Sequence, residues 1–316
     1  MEETITRSRY VSSRYEDLGA VAREHAAAYA EAEPFPSIHF EDFFEEAVLD
    51  DVLTEFPDLE RDAVRFEDET SVKLATKGEG RFGPRTRDFL HFLNSEPFLG
   101  FLQELTGIER ALMPDPYLEG AGCHEIKPGG FLKVHADFRE HPATGLDRRL
   151  NVLVYLNRDW DEEWGGHFEL WDEEMQGAVK RIPPNFNTMA IFSTTATSYH
   201  GHPDPLRCPP DRSRRSLALY YYTNGRPEEE TSDFDPHRTA WQPRTSEEAA
   251  ELEEWRRKER EELEAELRQN QPGRMGRLLR DLTPPLLSRG AKRVRAGIRR
   301  RRGLEPEEPD PAAERG

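Results

Sequence analysis

The chain has 316 residues, 62 acidic side chains against 44 basic ones, a formal net charge of −18 and a hydrophobic content of 35%. No apolar run approaches the roughly 20 residues that a membrane-spanning helix needs, and the first ten residues contain no apolar signal-peptide core, so we expect a cytoplasmic protein. Two cysteines, Cys123 and Cys208, exclude a disulfide framework and a four-cysteine zinc site, and the acidic body disfavours binding to nucleic acid.

The first hundred residues favour helices. The stretch 15–32, rich in Ala and Glu, predicts a first helix, which Pro34 ends. Apolar residues recur at helical spacing over 43–56, and a third helix is predicted over 95–105, from a Ser N-cap towards a Gly stop. A short strand is expected at 38–40, between the first two helices.

The pattern changes from residue 120 onwards, where short apolar runs alternate with turns rich in Gly and Pro. Evenly spaced strands of this kind predict a sandwich or barrel, and a double-sheet jelly roll fits well. We therefore predict an α+β fold: a double-stranded β-helix (jelly roll) with N-terminal helices packed on one sheet and a C-terminal helical extension. The predicted strands are 131–134, 150–156, 167–170, 188–192 and 217–222.

The chain beyond residue 225 is polar and charged. Thr245-x-x-Glu248 is a candidate capping box for a Glu/Arg-rich helix, and the segment 274–302 that follows holds eleven Lys or Arg residues and one acid. That basic segment is a candidate contact for an anionic surface or an acidic partner, or a counter-charge to the acidic body. We divide the chain into an N-terminal helical segment, a jelly-roll domain, a linker, a charged helical extension and a disordered tail, at 1–35, 36–228, 229–245, 246–302 and 303–316.

Three residues have the types and spacing of metal ligands. Alternate residues of a strand point to the same side, so His135 and Asp137 can reach one ion. His200 follows the later apolar run 188–192, and His202 shares its alternation as a rival ligand; we favour His200. Two histidines and one carboxylate leave the remaining metal positions open for other ligands.

A second group of residues can hold an anion. Arg214 and Ser216 share one side of a predicted strand, whereas Arg215 points to the other side. A guanidinium grips a carboxylate through two parallel hydrogen bonds. Tyr155 ends the apolar strand 150–156, where its phenol can donate to the same anion. Each of these residues has an ordinary structural interpretation when it is taken alone.

The motifs taken together, in this order, resemble the Fe(II)/2-oxoglutarate dioxygenases of the prolyl 4-hydroxylase type over about residues 36–224. Each motif alone is modest, and their specificity comes from their shared order. They are Gly129-Gly130, His135-x-Asp137, the run from Leu153 to Trp160, Gly165-Gly166, His200-Gly201-His202-Pro203 and Arg214-x-Ser216.

This resemblance implies a site, its cofactors and an activity. It implies Fe(II) and 2-oxoglutarate, with ascorbate as a candidate addition, and hydroxylation of a C–H bond in a prolyl residue or related amino acid, with release of succinate and CO2. The substrate would be a peptide or a small molecule. By the same resemblance His135, Asp137 and His200 bind iron and are the catalytic residues, and Arg214 and Tyr155 bind 2-oxoglutarate, with Ser216 a weaker assistant.

Two other classes of function remain open at this point. A zinc hydrolase can use the same three ligands, but it has no need of an anion clamp at Arg214. A binding protein could act through the basic segment 274–302, attached to a membrane surface or an acidic partner. No specific nucleic acid is predicted, and the oligomeric state is left open.

Overall fold

The computed structural model describes residues 9–62, 64–67, 70–231 and 235–269. Within these ranges the chain forms two antiparallel sheets with helices on the outer face of the larger one. The predicted α+β jelly roll is therefore confirmed. The predicted basic segment 274–302 and the tail 303–316 lie outside the described residues, so both stay predictions.

Six α-helices lie in the described ranges, and most of them precede the main strands. The helices are α1 (Leu18–Ala30), α2 (Glu46–Thr54), α3 (Leu59–Asp62), α4 (Pro84–Leu93), α5 (Glu96–Thr106) and α6 (Ser246–Gln269). Thirteen strands lie in the same described ranges. The strands are β1 (Ser37–Glu41), β2 (Val64–Glu67), β3 (Val72–Ala75), β4 (Met113–Pro114), β5 (Gly122–Ile126), β6 (Leu132–Ala136), β7 (Asp147–Tyr155), β8 (Phe168–Trp171), β9 (Ala178–Ile182), β10 (Thr188–Ser193), β11 (His200–His202), β12 (Arg214–Thr223) and β13 (Ala240–Trp241).

The strands form two sheets whose order differs from their order in the chain. The larger sheet has the order β1-β10-β7-β12-β5-β3-β2, with β4 paired to β12. The smaller sheet has the order β13-β6-β11-β8-β9. Apart from the pairs β2–β3 and β8–β9, strands that are neighbours in space are not consecutive in sequence, as in a jelly roll. Side chains from β6, β7, β11 and β12 therefore meet between the two sheets.

The alternation of side chains along the strands separates two cores. On β7, Val152 and Val154 face the helices and pack in the cluster that also holds Phe98 and Phe101 of α5. Tyr155 at the end of the same strand faces the other way and packs in a smaller inner cluster, with Phe168 and Leu170 from the small sheet. The outer cluster holds the helices against the larger sheet. The inner cluster fills only part of the space between the sheets, and polar groups occupy the rest.

The second helix begins later than the apolar spacing predicts. We predict a helix over 43–56, but α2 begins at Glu46. The cause is Asn187, whose side chain accepts a hydrogen bond from Phe44 N at 3.0 Å and donates one to Phe44 O at 2.7 Å. Both backbone groups of Phe44 are thus used by a distant side chain, and the helix starts only after them.

The segment 229–245 that we predict to be a linker also contributes a strand to the small sheet. The two residues of β13 pair with β6 in the register Ala240 to Ala136 and Trp241 to His135. Gln242 N extends the pairing by donating to Val134 O at 2.8 Å. This segment therefore does more than connect two units, because it covers the outer edge of β6.

In the described part of the chain, no helix combines the length and the apolar content that a membrane span needs.

Candidate metal centre

The three predicted metal ligands meet between the sheets. His135 lies in β6 and His200 lies opposite it in β11, so that the two histidines form a direct cross-strand pair. Asp137 follows directly after β6. One potential ligand atom from each of the three residues lies within 4.8 Å of the other two. Both histidines are 5% exposed, so the group is enclosed by protein and can hold one ion.

The two histidines are oriented in the same way. His135 Nδ1 lies 2.9 Å from Lys133 O, and His200 Nδ1 lies 2.8 Å from Ser198 O. A carbonyl oxygen can only accept, so Nδ1 carries the proton in each ring. Nε2 is then left with its lone pair, and each Nε2 faces Asp137, at 3.5 Å from His135 and 3.4 Å from His200. Each ring thus presents Nε2 as the atom available to a metal ion.

Asp137 is held by a triangle of hydrogen bonds. Its Oδ2 accepts from Arg148 Nη2 at 2.9 Å and from Asn151 Nδ2 at 2.7 Å. Arg148 Nε in turn donates to Asn151 Oδ1 at 2.8 Å, which closes the triangle. The other carboxylate oxygen, Oδ1, is the one nearer to His135. The triangle therefore fixes Oδ2, which also lies 3.4 Å from His200 Nε2, so that the carboxylate faces both imidazoles.

The charges in the cluster suit a cation. Burial by itself raises the pKa of the Asp137 carboxyl, but the Arg148 guanidinium and both histidines more than offset this and hold that pKa well below its usual range. Burial lowers the pKa of His135, and the neighbouring His200 lowers it further. At neutral pH the cluster thus offers an ionised carboxylate and a neutral imidazole at His135, the protonation states that metal binding requires.

Arg148 and Asn151 are site residues that our sequence analysis missed. By simple alternation Arg148 belongs on the outer face of β7, with Leu150 and Val152. A bulge changes this, because Tyr221 pairs with Leu150 while the next residue, Tyr222, pairs with Arg148. The bulge turns Arg148 inward, where its guanidinium lies 3.4 Å from the centre of the Tyr220 ring.

A buried guanidinium lies further inside the fold. Arg214, at the start of β12, donates from Nε to Gly166 O at 2.7 Å and from Nη2 to the Tyr155 hydroxyl at 3.3 Å. It is 5% exposed, and among the described residues no carboxylate pairs with it. Gly166 makes this close approach possible, since a Cβ there would lie 3.0 Å from Arg214 Cδ. Ser216 pairs directly with Tyr155 across the strands.

The neighbouring residue Arg215 points to the opposite side of the sheet. Its Nε donates to Glu125 Oε1 at 3.0 Å, and its guanidinium lies 4.8 Å from the centre of the Phe56 ring. Arg215 thus forms an ordinary ion pair with Glu125. Only Arg214 of the two faces the space between the sheets.

His202, the rival ligand, lies outside the three-residue group. It shares the inner side of β11 with His200 and is 4% exposed. In the described part of the chain, the cluster that can hold a metal ion comprises His135, Asp137 and His200. The structure therefore favours His200 over His202 as the third residue of the cluster.

Trp241 is a further contact that our sequence analysis missed. Its ring centroid lies 4.9 Å from that of His135, from a segment that we predict to be a linker. An isolated Trp in a polar, Pro-rich stretch was the available signal. On the other side, Phe192 lies 4.6 Å from the His200 ring, also centre to centre. Aromatic rings thus wall in both histidines and restrict their rotation.

Comparison with known proteins finds a match in the part of the chain that contains this cluster. Residues 121–222 match the sequence model described as the 2OG-Fe(II) oxygenase superfamily. That range contains every ligand and anion-binding candidate described above. A curated relative, prolyl 3-hydroxylase OGFOD1 of Mus musculus, is 27% identical over 137 residues. The alignment covers 42% of this chain and 23% of the relative, so the chain matches about a quarter of that protein's length.

Solved structures give matches at low sequence identity. A prolyl-4-hydroxylase from Pseudomonas putida is 14% identical with a TM-score of 0.47, covering 66% of this chain and 100% of that one. A prolyl hydroxylase from Trichoplax adhaerens, in complex with a hypoxia inducible factor oxygen degradation domain peptide fragment, is 14% identical with a TM-score of 0.49. The match covers 69% of this chain and 95% of that chain.

Proposed function

We propose that this chain is a member of the 2OG-Fe(II) oxygenase superfamily, whose sequence model matches residues 121–222, and that it acts as an Fe(II)- and 2-oxoglutarate-dependent dioxygenase that hydroxylates a C–H bond. In this proposal His135, Asp137 and His200 bind the iron. The donor set supports this assignment, since two imidazoles and one carboxylate on one side of a metal are typical of non-haem Fe(II) oxygenases.

The observation that carries the proposal is the buried guanidinium of Arg214, which pairs with no carboxylate in the part of the chain that the structure describes. Burying a cation without an anion is costly, and proteins rarely do so without a reason. Burial lowers the pKa of Arg214 and the Tyr155 phenol partly opposes this, yet an arginine stays protonated at neutral pH. A dicarboxylate co-substrate supplies the missing anion. A zinc hydrolase with the same three ligands has no use for this cation.

The residues of the pocket have separate tasks in this reaction. Iron, when bound, supplies the chemistry in which O2, 2-oxoglutarate and a C–H bond become succinate, CO2 and a hydroxylated product. Arg214 neutralises the far carboxylate of the co-substrate. Burial raises the pKa of Tyr155, so its phenol keeps its proton and can donate to the same carboxylate. Ser216, level with Tyr155 on the next strand, is a weaker assistant. The Arg148–Asn151 pair keeps Asp137 in one orientation throughout.

Replacing Arg214 with methionine is expected to weaken 2-oxoglutarate binding about 100-fold. The variant keeps the side-chain volume and removes the charge-assisted hydrogen bonds to the carboxylate, and each factor of ten corresponds to about 1.4 kcal/mol. The measurement is an anaerobic titration of the Fe(II)-loaded protein, followed by the visible absorbance that needs both iron and 2-oxoglutarate. Fe(II) binding itself should stay as in the wild type.

The matched control is Arg215→Met, one residue further along the same strand. Arg215 faces Glu125 on the other side of the sheet, so its loss should leave 2-oxoglutarate affinity unchanged and cost a little stability. Absence of any 2-oxoglutarate-dependent absorbance in the wild type would refute the proposed oxygenase function. Equal weakening of 2-oxoglutarate binding in both variants would show instead that Arg214 does not bind the carboxylate specifically.

We propose a prolyl side chain in a peptide as the substrate. The support is the curated relative, which is named a prolyl 3-hydroxylase and shares 27% identity over 137 residues. An aromatic wall beside the metal cluster, formed by Trp241 against His135, offers an apolar surface that suits the pyrrolidine ring. The substrate channel itself is expected among the loops around the mouth of the jelly roll.

Incubation with a set of proline-containing peptides should add one oxygen atom to a prolyl residue of at least one of them. Mass spectrometry locates the added oxygen, and free proline tested in parallel distinguishes a peptide substrate from an amino acid. Oxygen added consistently at another residue type would refute the prolyl assignment and leave the oxygenase function standing. Stimulation by ascorbate and an anionic or acidic partner for 274–302 stay predictions.

A further inference from the structure

His202 is a buried histidine without a hydrogen-bond partner. It is 4% exposed, and neither Nδ1 nor Nε2 has a partner among the described residues. Its neighbours differ: His135 and His200 each use Nδ1 on a backbone carbonyl. Buried polar atoms in proteins are nearly always paired, and an unpaired one calls for an explanation.

The surroundings of His202 are basic. The charged or titratable groups that act on its ring are Arg214, Lys73 and His135, and no carboxylate of the described chain is among them. Arg214 in turn has no carboxylate partner within the described ranges. The inner end of the space between the sheets thus holds a cation that lacks an anion and an imidazole that lacks any partner. Both deficits are met by one anionic ligand with several acceptor oxygens.

A purely structural role would give His202 a different environment. His141 shows what such a role requires in this protein. It is 2% exposed, its Nε2 lies 3.2 Å from Asp115 Oδ1, and its Nδ1 accepts from the backbone N–H groups of Ala143 and Thr144. Both ring nitrogens of His141 therefore have hydrogen-bond partners, whereas neither ring nitrogen of His202 has one among the described residues.

We propose that His202 binds 2-oxoglutarate, donating a ring N–H to the same far carboxylate that Arg214 holds. This inference rests on the proposed oxygenase function and adds a residue to its co-substrate site. A neutral imidazole has one donor, which fits one carboxylate oxygen. A guanidinium and an imidazole together select a diacid over a keto acid that ends in a methyl group.

His202→Leu removes both ring nitrogens and tests this assignment. Anaerobic calorimetry of the Fe(II)-loaded protein should give roughly tenfold weaker binding of 2-oxoglutarate, the expected effect of one lost hydrogen bond to a charged group. Binding of 2-oxopentanoate, which lacks the far carboxylate, should be equal in the variant and the wild type. Fe(II) affinity should not change.

Thermal unfolding of the ligand-free protein gives a second readout that a structural role would not produce. The Leu variant no longer buries unpaired nitrogens, so its melting temperature should equal or exceed that of the wild type. His202→Gln keeps an N–H donor and should regain most of the affinity. If the Leu variant does not fold, His202→Met provides the same comparison.

Unchanged 2-oxoglutarate affinity in the variant overturns the proposal, as does equal weakening for 2-oxopentanoate. Loss of Fe(II) binding overturns it too, because His202 would then be a metal ligand. These results differ from a failure of the proposed oxygenase function. In that case the wild type itself binds no 2-oxoglutarate.

Discussion

Replacing His200 with leucine is expected to abolish Fe(II) binding and all oxygenase turnover. Nε2 of His200 is one of three donor atoms that lie within 4.8 Å of one another, and two remaining donors do not hold a ferrous ion at micromolar concentration. The ligand-free fold should lose only about 1 kcal/mol, since one hydrogen bond to Ser198 O is lost while leucine fills the space between Phe192 and Phe168.

The matched control for this experiment is His141→Leu. His141 is equally buried, but it bonds Asp115 and two backbone N–H groups and takes no part in the cluster. We expect this variant to lose about 2 kcal/mol of stability and to bind iron as the wild type does. The two variants should therefore show opposite patterns of metal content and melting temperature. Iron bound at full stoichiometry by His200→Leu would contradict the assignment of this ligand.

Replacing Arg148 with methionine is expected to lower the free energy of unfolding by about 3–5 kcal/mol, because it leaves the Asp137 carboxylate buried without its cation. Arg148 is 1% exposed and lies 2.9 Å from Asp137 Oδ2. For a domain of this size the loss corresponds to a fall in melting temperature of roughly 10 °C. Asn151 still donates to the same oxygen, so the variant should fold.

The effect of Arg148→Met should extend to the metal. With one corner of the triangle gone, Asn151 alone orients Asp137, and we expect Fe(II) affinity to fall about tenfold to 100-fold, as for other residues that orient a ligand. Arg149→Met is the control, because Arg149 pairs with Glu230 rather than with Asp137. That variant should lose about 1 kcal/mol and bind iron normally. An Arg148 variant with wild-type melting temperature and iron affinity would show that the triangle has no such role.

The alternation of side chains along strands was the most informative signal in the sequence. It placed His135 and Asp137 on one side, and it separated Arg214, which is buried, from Arg215, which pairs with Glu125. These inferences needed only a regular strand of known period. Where the backbone is regular, local spacing decides which side chains meet, so the outline of the candidate site could be predicted without coordinates.

The missed residues depend on features that spacing does not contain. Arg148 faces inward only because of the bulge in β7, and a bulge depends on pairing with a strand some 70 residues away. Asn151 could have been found, since a polar residue in the apolar run 150–156 shares the alternation of Tyr155. Helix α2 begins late because Asn187 occupies the backbone of Phe44, a contact across 143 residues.

The position of β13 has a consequence for how the chain can be shortened. In the small sheet β6 lies between β13 and β11, and β13 comes from the segment beyond residue 228, where we place the end of the jelly-roll domain. A chain cut there would present the unpaired backbone of the His135 strand to any other extended polypeptide. Truncation at that residue should therefore produce dimers or aggregates that grow from the rim of the proposed iron site, and a soluble fragment should retain residues through Gln242.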